Sequence, residues 1–301
     1  MPAYNVAPYI RETLESVFAQ TFNDYEVILV NDGSPDTEEL EQALAPYQDR
    51  VHYIKQQNRG AGAARNEGLR AARGEFIAFL DADDLWLPNY LEDQLSFLQS
   101  GNYDLVYADA LLFGDSPLAG RTFMETAPSK GEVSFLSLVT HRCAITTSGV
   151  VTRKKLIFDV ALFDEELRNS QDFDLWLRLV RHGARASYQK KVLLKYRCRK
   201  EGLSGDEVNR IARQIRVYQK IQDAYGLTSE ERAEVSRIME KIKAMHELEL
   251  SKAYLSQGKF AEAREALQKA NRHQRSWKLS GVGLIMQVAP QLLRRLHAGR
   301  G

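Results

Sequence analysis

Two stretches of this chain are apolar almost without a break and then end abruptly in acids. Residues 25–31 read Tyr-Glu-Val-Ile-Leu-Val-Asn and run into Asp32; residues 75–80 read Glu-Phe-Ile-Ala-Phe-Leu and run into Asp81-Ala82-Asp83-Asp84. Short, dense apolar runs are what a strand buried on both faces requires, and such strands need helices on either side. Helical patterns follow Pro8 and cover about 37–46, 60–72 and the stretch from Pro88, while 51–56 and 105–108 read as further strands. Up to about residue 200 the alternation therefore predicts an α/β unit, with both acidic strand ends on the edge of one parallel sheet where ligands bind. From about 206 strand signals stop and charged amphipathic helix dominates. The division expected is 1–204 and 205–301, with the linker at 202–206. Residues 246–271 suggest a helical hairpin with the small-and-large spacing of one tetratricopeptide unit.

The acids at 81–84 carry the chemistry. Carboxylates this close repel one another unless a cation lies among them. Hard ions such as Mg²⁺ or Mn²⁺ take carboxylate oxygens and share themselves with phosphates. A solvated acidic turn capping the next helix is the alternative. Asp32 ends the other run and reads either as a hydrogen-bond acceptor for a nucleoside or as a turn residue. Asp172, in Gln171-Asp172-Phe173-Asp174-Leu175-Trp176, opens an apolar helical stripe. It suits a base that takes a hydroxyl proton, or simply a helix cap. Residues 58–68 make a small-residue helix start, which brings backbone N–H groups near an anion, with Arg65 to offset its charge. This stretch lacks the Gly-Lys-Ser/Thr ending of a phosphate loop and does not match the dinucleotide fingerprint.

Taken in order, Pro2-Ala3-Tyr4-Asn5, Val30-Asn31-Asp32-Gly33-Ser34, Asn58-x-Gly60 with Ala64-Arg65-Asn66-x-Gly68, Phe79-Leu80-Asp81-Ala82-Asp83-Asp84 and Asp172-x-Asp174-x-Trp176 resemble family 2 of the glycosyltransferases. The resemblance implies a GT-A fold, a Rossmann-like mixed sheet flanked by helices, here with an all-α C-terminal extension. It implies an inverting, non-processive transferase that uses a divalent metal, Mn²⁺ or Mg²⁺. By position, Pro2, Ala3 and Tyr4 would line the base pocket, and Asp32 would hold the base edge. Asn58 and Arg65 would lie beside the base and the diphosphate. Asp81, with Ala82, would face the ribose, Asp83 would bind the metal, and Asp172 would be the catalytic base.

The sequence departs from that pattern in three places. The apolar strand expected before Pro2 is absent, Gln171 stands where relatives often have Glu, and Arg199 stands where many have His. A UDP-sugar is the first choice of donor, and a saccharide or lipid-linked hydroxyl in cell-surface polysaccharide or glycolipid synthesis the expected acceptor. Competing readings are a metal-dependent nucleotidyltransferase, which would release pyrophosphate, and a non-catalytic nucleotide-binding or scaffold protein.

The formal net charge of +1 gives no reason to expect a nucleic-acid partner. Two cysteines, Cys143 and Cys198, argue against a disulfide framework and suit a reducing compartment. With no leader-like start and no apolar run of membrane-spanning length, the expected location is cytoplasmic, with peripheral contact at the inner membrane face. Residues 277–300 motivate that contact: they combine Leu284, Ile285, Val288, Leu292 and Leu293 with Lys278, Arg294, Arg295 and Arg300, as a single interfacial helix does, although a tail helix packed on the protein would carry the same pattern.

Overall fold

The computed structural model describes residues 1–199, 207–274 and 276–298. The chain divides into a unit of Met1–Lys200 and one of Glu201–Gly301. The expected linker at 202–206 lies outside the described residues, as does Arg300.

In chain order the first unit contains β1 (Pro2–Ala3), α1 (Ala7–Phe18), β2 (Val27–Asp32), α2 (Thr37–Leu44), β3 (Val51–Gln56), α3 (Ala61–Ala71), β4 (Phe76–Ala78), β5 (Leu85–Trp86), α4 (Tyr90–Ser100) and β6 (Leu105–Gly114). Then come α5 (Phe123–Thr126), α6 (Phe135–Val139), β7 (Val150–Arg153), α7 (Lys154–Asp159), α8 (Gln171–Arg181) and β8 (Ala186–Cys198). Helix α1 shows why these elements form. Ile10, Leu14 and Val17 share one helical face and are buried, each contributing about 1.5–3 kcal/mol. Its first turn is capped from outside, because the Ala7 N–H donates to Asp36 Oδ2 at 2.8 Å.

The apolar runs become strands, but not of one sheet. β1, β2 and β3 pair in parallel in that order, with Pro2 opposite Val30 and Val27 opposite Val51. A second sheet has the order β4-β7-β6-β8-β5, in which only β6 and β8 run parallel. The expectation of one parallel sheet carrying both acidic ends is thereby corrected. β4 finds its partner in β7, an antiparallel strand from far along the chain. Between β2 and β4 lies a cavity of about 710 Å³, lined by Met1, Val27, Ile28, Phe76, Ile77 and Ala78 among others. Pro2 and Ala3 themselves form a short strand beside β2, and the Val30 N–H donates to the Met1 carbonyl at 2.9 Å.

The second unit is helical among its described residues: α9 (Glu207–Ala224), α10 (Ser229–Ser256), α11 (Phe260–Gln274), α12 (Trp277–Val288) and α13 (Pro290–Ala298). Thr228 and Glu231 form a capping box at the start of α10. Leu255, Ala263, Leu267 and Met286 make a small core joining α10, α11 and α12, and the hairpin anticipated near 246–271 falls within the first two. The single helix expected over 277–300 is two. Pro290 cannot donate to the preceding turn and disfavours helical geometry at the residue before it, and Ala289 sits at φ −141°, ψ 59°.

Candidate active site

The C-terminal ends of β1, β2 and β3 meet at one place. Gly33, with φ +62°, turns the chain so closely that a Cβ there would stand 2.6 Å from the Asn58 backbone nitrogen. Only glycine fits such an approach. Asp32, just before it and 3% exposed, accepts from Gln56 Nε2 at 2.7 Å, the Arg59 N–H at 2.9 Å and the Gly60 N–H at 2.7 Å. A carboxylate offers about four acceptor positions, so Asp32 spends most of its capacity stapling the β3–α3 loop. Tyr4 and Asn58 are exposed beside it, whereas Ala3 is wholly buried.

Across from this loop Arg65, on α3, is 8% exposed. Its Nη2 donates to Asp81 Oδ1 at 2.6 Å, while its Nε and Nη1 are buried with no hydrogen-bond partner. Burial works against the charge, yet Asp81 and then Asp172 raise the guanidinium above its ordinary pKa. Neighbouring Asn66 exchanges hydrogen bonds with the Phe163 backbone, donating at 2.9 Å and accepting at 2.9 Å, and so ties α3 to the loop before α8.

The three acids after β4 have different surroundings. Asp84 is buried, accepting from Ser148 Oγ at 2.6 Å and from the Arg197 N–H at 2.7 Å. The Ser148 hydroxyl in turn accepts from the Asp81 N–H at 3.1 Å, so one serine positions two acids. Burial, then the charges of Asp81 and Asp83, push the Asp84 carboxyl well above the usual carboxylate range. Asp83 is also raised, by burial first and Asp81 second, with Arg199 and Arg197 pulling the other way. Its Oδ2 lies 3.3 Å from Arg199 Nη1. Ala82 is buried, and its carbonyl accepts from Thr13 Oγ1 at 3.1 Å. Tyr196 is partly buried behind the acids, and desolvation followed by their charges raises its phenol.

Asp172 opens α8 on the same side of the site. Its Oδ2 accepts from Thr147 Oγ1 at 2.7 Å and its Oδ1 from the Phe173 N–H at 2.8 Å. Asp174 faces inward instead, wholly buried against Arg178 at 2.8 Å. Trp176 anchors the helix on Phe79, with ring centroids 5.8 Å apart. Arg65 is thus shared electrostatically between the acid after β4 and the acid at the start of α8.

No group of three His, Cys, Asp or Glu side chains among the described residues could hold an ion by itself. One carboxylate, Asp83, raised by burial and already drawing a cationic side chain to itself, suits a hard divalent cation that takes its other oxygens from a diphosphate. Thr147 and Ser148 escaped the sequence reading. Their only local signal is the run Thr146-Thr147-Ser148-Gly149 directly before an apolar strand.

The sequence model of the family described as Glycosyl transferase family 2 matches residues 1–152. An uncharacterized glycosyltransferase of Rickettsia bellii is 33% identical over 210 residues, covering 67% of this chain and 29% of the relative. The minor teichoic acid biosynthesis protein GgaB of Bacillus subtilis is 31% identical over 217 residues, covering 68% and 23%. The chain thus spans about a third or less of the length of these relatives. Among solved structures, S. aureus TarS 1–349 in complex with UDP-GlcNAc has TM-score 0.63 at 22% identity, covering 98% of this chain and 88% of that one. The mannosyltransferase PcManGT of Pyrobaculum calidifontis, in complex with GDP-Man and Mn²⁺, has TM-score 0.61 at 19% identity, covering 99% and 82%. These likenesses show the fold, the α/β architecture expected from the motifs.

Proposed function

The chain belongs to glycosyl transferase family 2, and from that premise we propose that it moves a sugar, with inversion, from a nucleoside diphosphate donor to an acceptor hydroxyl. The observation that carries the reading is Arg65. A guanidinium with two buried, unpartnered nitrogens between Asp81 and Asp172 is costly until an anion reaches it. A diphosphate is such an anion.

In this reading Pro2, Ala3 and Tyr4 bound the base, with Asp32 acting chiefly by holding the 56–60 loop in place. Asn58 lies beside the base, and Arg65 donates to the diphosphate. Asp81 and the Ala82 backbone set the ribose side. Asp83 would hold a divalent cation, which supplies charge stabilisation to the departing diphosphate. Asp172, oriented by Thr147, takes the acceptor proton as the hydroxyl oxygen bonds to the anomeric carbon. The bond from that carbon to the diphosphate oxygen breaks, and its electron pair leaves with the diphosphate.

UDP-sugars are the first donors to test, since TarS binds UDP-GlcNAc, with GDP-mannose second. GgaB suggests a cell-surface polymer as the context. The experiment is a donor panel with Mn²⁺ and Mg²⁺, scoring release of nucleoside diphosphate. Release of pyrophosphate would turn the reading into nucleotidyl transfer, and binding without turnover into a scaffold. Peripheral membrane contact by a cytoplasmic chain rests on α12 and α13. Trp277 is 79% and Val288 85% exposed, with Leu284 and Leu292 also exposed, and the segment 275–301 contains no Asp or Glu. Flotation with anionic vesicles tests it, and absence of binding removes it.

A further inference from the structure

Arg199 carries a charge that this mechanism leaves without a role. It follows β8 directly, and its guanidinium reaches two places. Nη1 lies 3.3 Å from Asp83 Oδ2 and donates to the Asn5 carbonyl at 3.2 Å. Arg197, two residues earlier, is fixed far more firmly. Its Nε donates to the Asp83 carbonyl at 2.8 Å and its Nη2 pairs with Glu12 at 2.5 Å. Its guanidinium carbon also stands 4.8 Å from the Tyr9 ring centroid and 4.3 Å from that of Phe113. Arg199 has only the ion pair, one carbonyl and the Tyr9 ring at 5.3 Å among the described residues. Of the two arginines it is the less firmly held among the described residues.

We infer that Arg199 is an exchangeable counter-ion on Asp83. In the nucleotide-free protein it occupies the carboxylate that a divalent cation needs. An arriving diphosphate draws the guanidinium onto itself and releases Asp83 to the cation. This rests on the reading of Asp83 as the metal carboxylate. The exchange is chemically easy, because a guanidinium fork fits carboxylate and phosphate oxygens alike. Its charge stays paired throughout. Two cations on one carboxylate repel each other, so guanidinium and metal exclude one another there. Nucleotide and metal are then coupled through a single side chain: each raises the other's affinity, and by the same factor. The Asn5 contact puts the switch within reach of both ligands, since Asn5 follows the residues assigned to the base.

The test is Mn²⁺ binding, measured by electron paramagnetic resonance and calorimetry with and without UDP, on the wild type, Arg199→Gln, Arg199→Met and Asp83→Ala. Both Arg199 variants keep most of the stem without the charge, so one that folds suffices. Mn²⁺ alone is expected to bind the uncharged variants roughly tenfold more tightly than the wild type, and the UDP-dependent gain to shrink by a similar factor, within the usual range of site coupling. A fixed neighbouring cation would also raise Mn²⁺ affinity when removed, but it would leave the UDP-dependent gain unchanged, so the shrinking of that gain is the decisive readout. If Mn²⁺ affinity is unchanged or falls in the Arg199 variants while Asp83→Ala abolishes binding, the inference is overturned and the metal assignment stands. If Asp83→Ala binds Mn²⁺ as the wild type does, the assignment fails and the inference with it.

Discussion

Arg65→Met separates what the site does for the fold from what it does for a ligand. Methionine keeps the aliphatic stem and discards the guanidinium. In the free protein the change removes two buried N–H-bearing nitrogens without partners, each worth about 1–3 kcal/mol of unrecovered desolvation. Against that stands the lost pair with Asp81, whose side chain is 33% exposed. A pair open to water on one side contributes about 1 kcal/mol. The free protein should therefore be no less stable, and it gains if the relieved desolvation dominates. The nucleotide complex behaves oppositely. There the same nitrogens meet phosphate oxygens, and truncating one partner of a buried, charged hydrogen-bonded pair costs about 2–5 kcal/mol. At about 1.4 kcal/mol per factor of ten, that is roughly thirty- to several-thousand-fold in Kd. Thermal unfolding without ligand and titration calorimetry with UDP and Mn²⁺ read the two quantities separately. A variant that unfolds at the wild-type temperature and binds UDP within about threefold of wild type would refute the assignment of those nitrogens to a diphosphate.

Asp172→Asn should keep UDP affinity and lose transfer by about 10²- to 10⁴-fold; full turnover in a product-release assay would remove Asp172 as the base. Gly33→Ala should lower stability by about 1–3 kcal/mol, because it combines φ +62° with a Cβ 2.6 Å from the Asn58 nitrogen; an unchanged midpoint in urea would contradict that packing. Asp84 has a folded pKa raised above its ordinary 3.8 by burial and by Asp81 and Asp83, so the folded state binds its proton more tightly than the unfolded state does. Its contribution to stability is complete below about pH 3.8 and declines as pH rises toward the folded value. Asp84→Asn should flatten that part of the stability–pH profile in urea titrations, and a profile of unchanged slope would count against the buried-charge account.

The parts of this site that were legible in the sequence are those whose signal is local. An apolar run that stops at acids marks a strand end, and Asp32 and Asp81–Asp84 all sit at or just past one. The start of α8 at Gln171 was visible in the same way, from acids preceding an apolar stripe. What stayed hidden depends on pairing between distant segments. Ser148 matters because the strand after it lies antiparallel to β4, with Phe76 opposite Arg153 and Ala78 opposite Val151. That register sets the Ser148 hydroxyl against Asp81 and Asp84, and no spacing within 146–149 announces it. The break at Pro290 shows a different failure: the residue was in plain view, but the apolar pattern on both sides read as continuous.

The structure also divides acids that the sequence presents as equals. Asp32 and Asp84 each accept from two or more protein donors, Asp174 accepts from Arg178 Nε and pairs with its guanidinium, and all three are nearly or wholly buried. Their lone pairs are largely committed to loop, strand and helix. Asp81, Asp83 and Asp172 are instead partly exposed, so their remaining lone pairs can be reached from the site. Asp81 takes one guanidinium nitrogen, Asp83 an ion pair at 3.3 Å, and Asp172 one hydroxyl and the Phe173 N–H. A carboxylate with spare acceptor positions beside a guanidinium with spare donors is a mismatch that the protein does not close internally, although Arg65 and Asp81 are in direct contact. Closing it needs a group that brings anionic oxygens for Arg65 and positive charge for Asp83 at once. A metal-bound diphosphate is such a group, and neither the cation nor the phosphates alone would satisfy both sides.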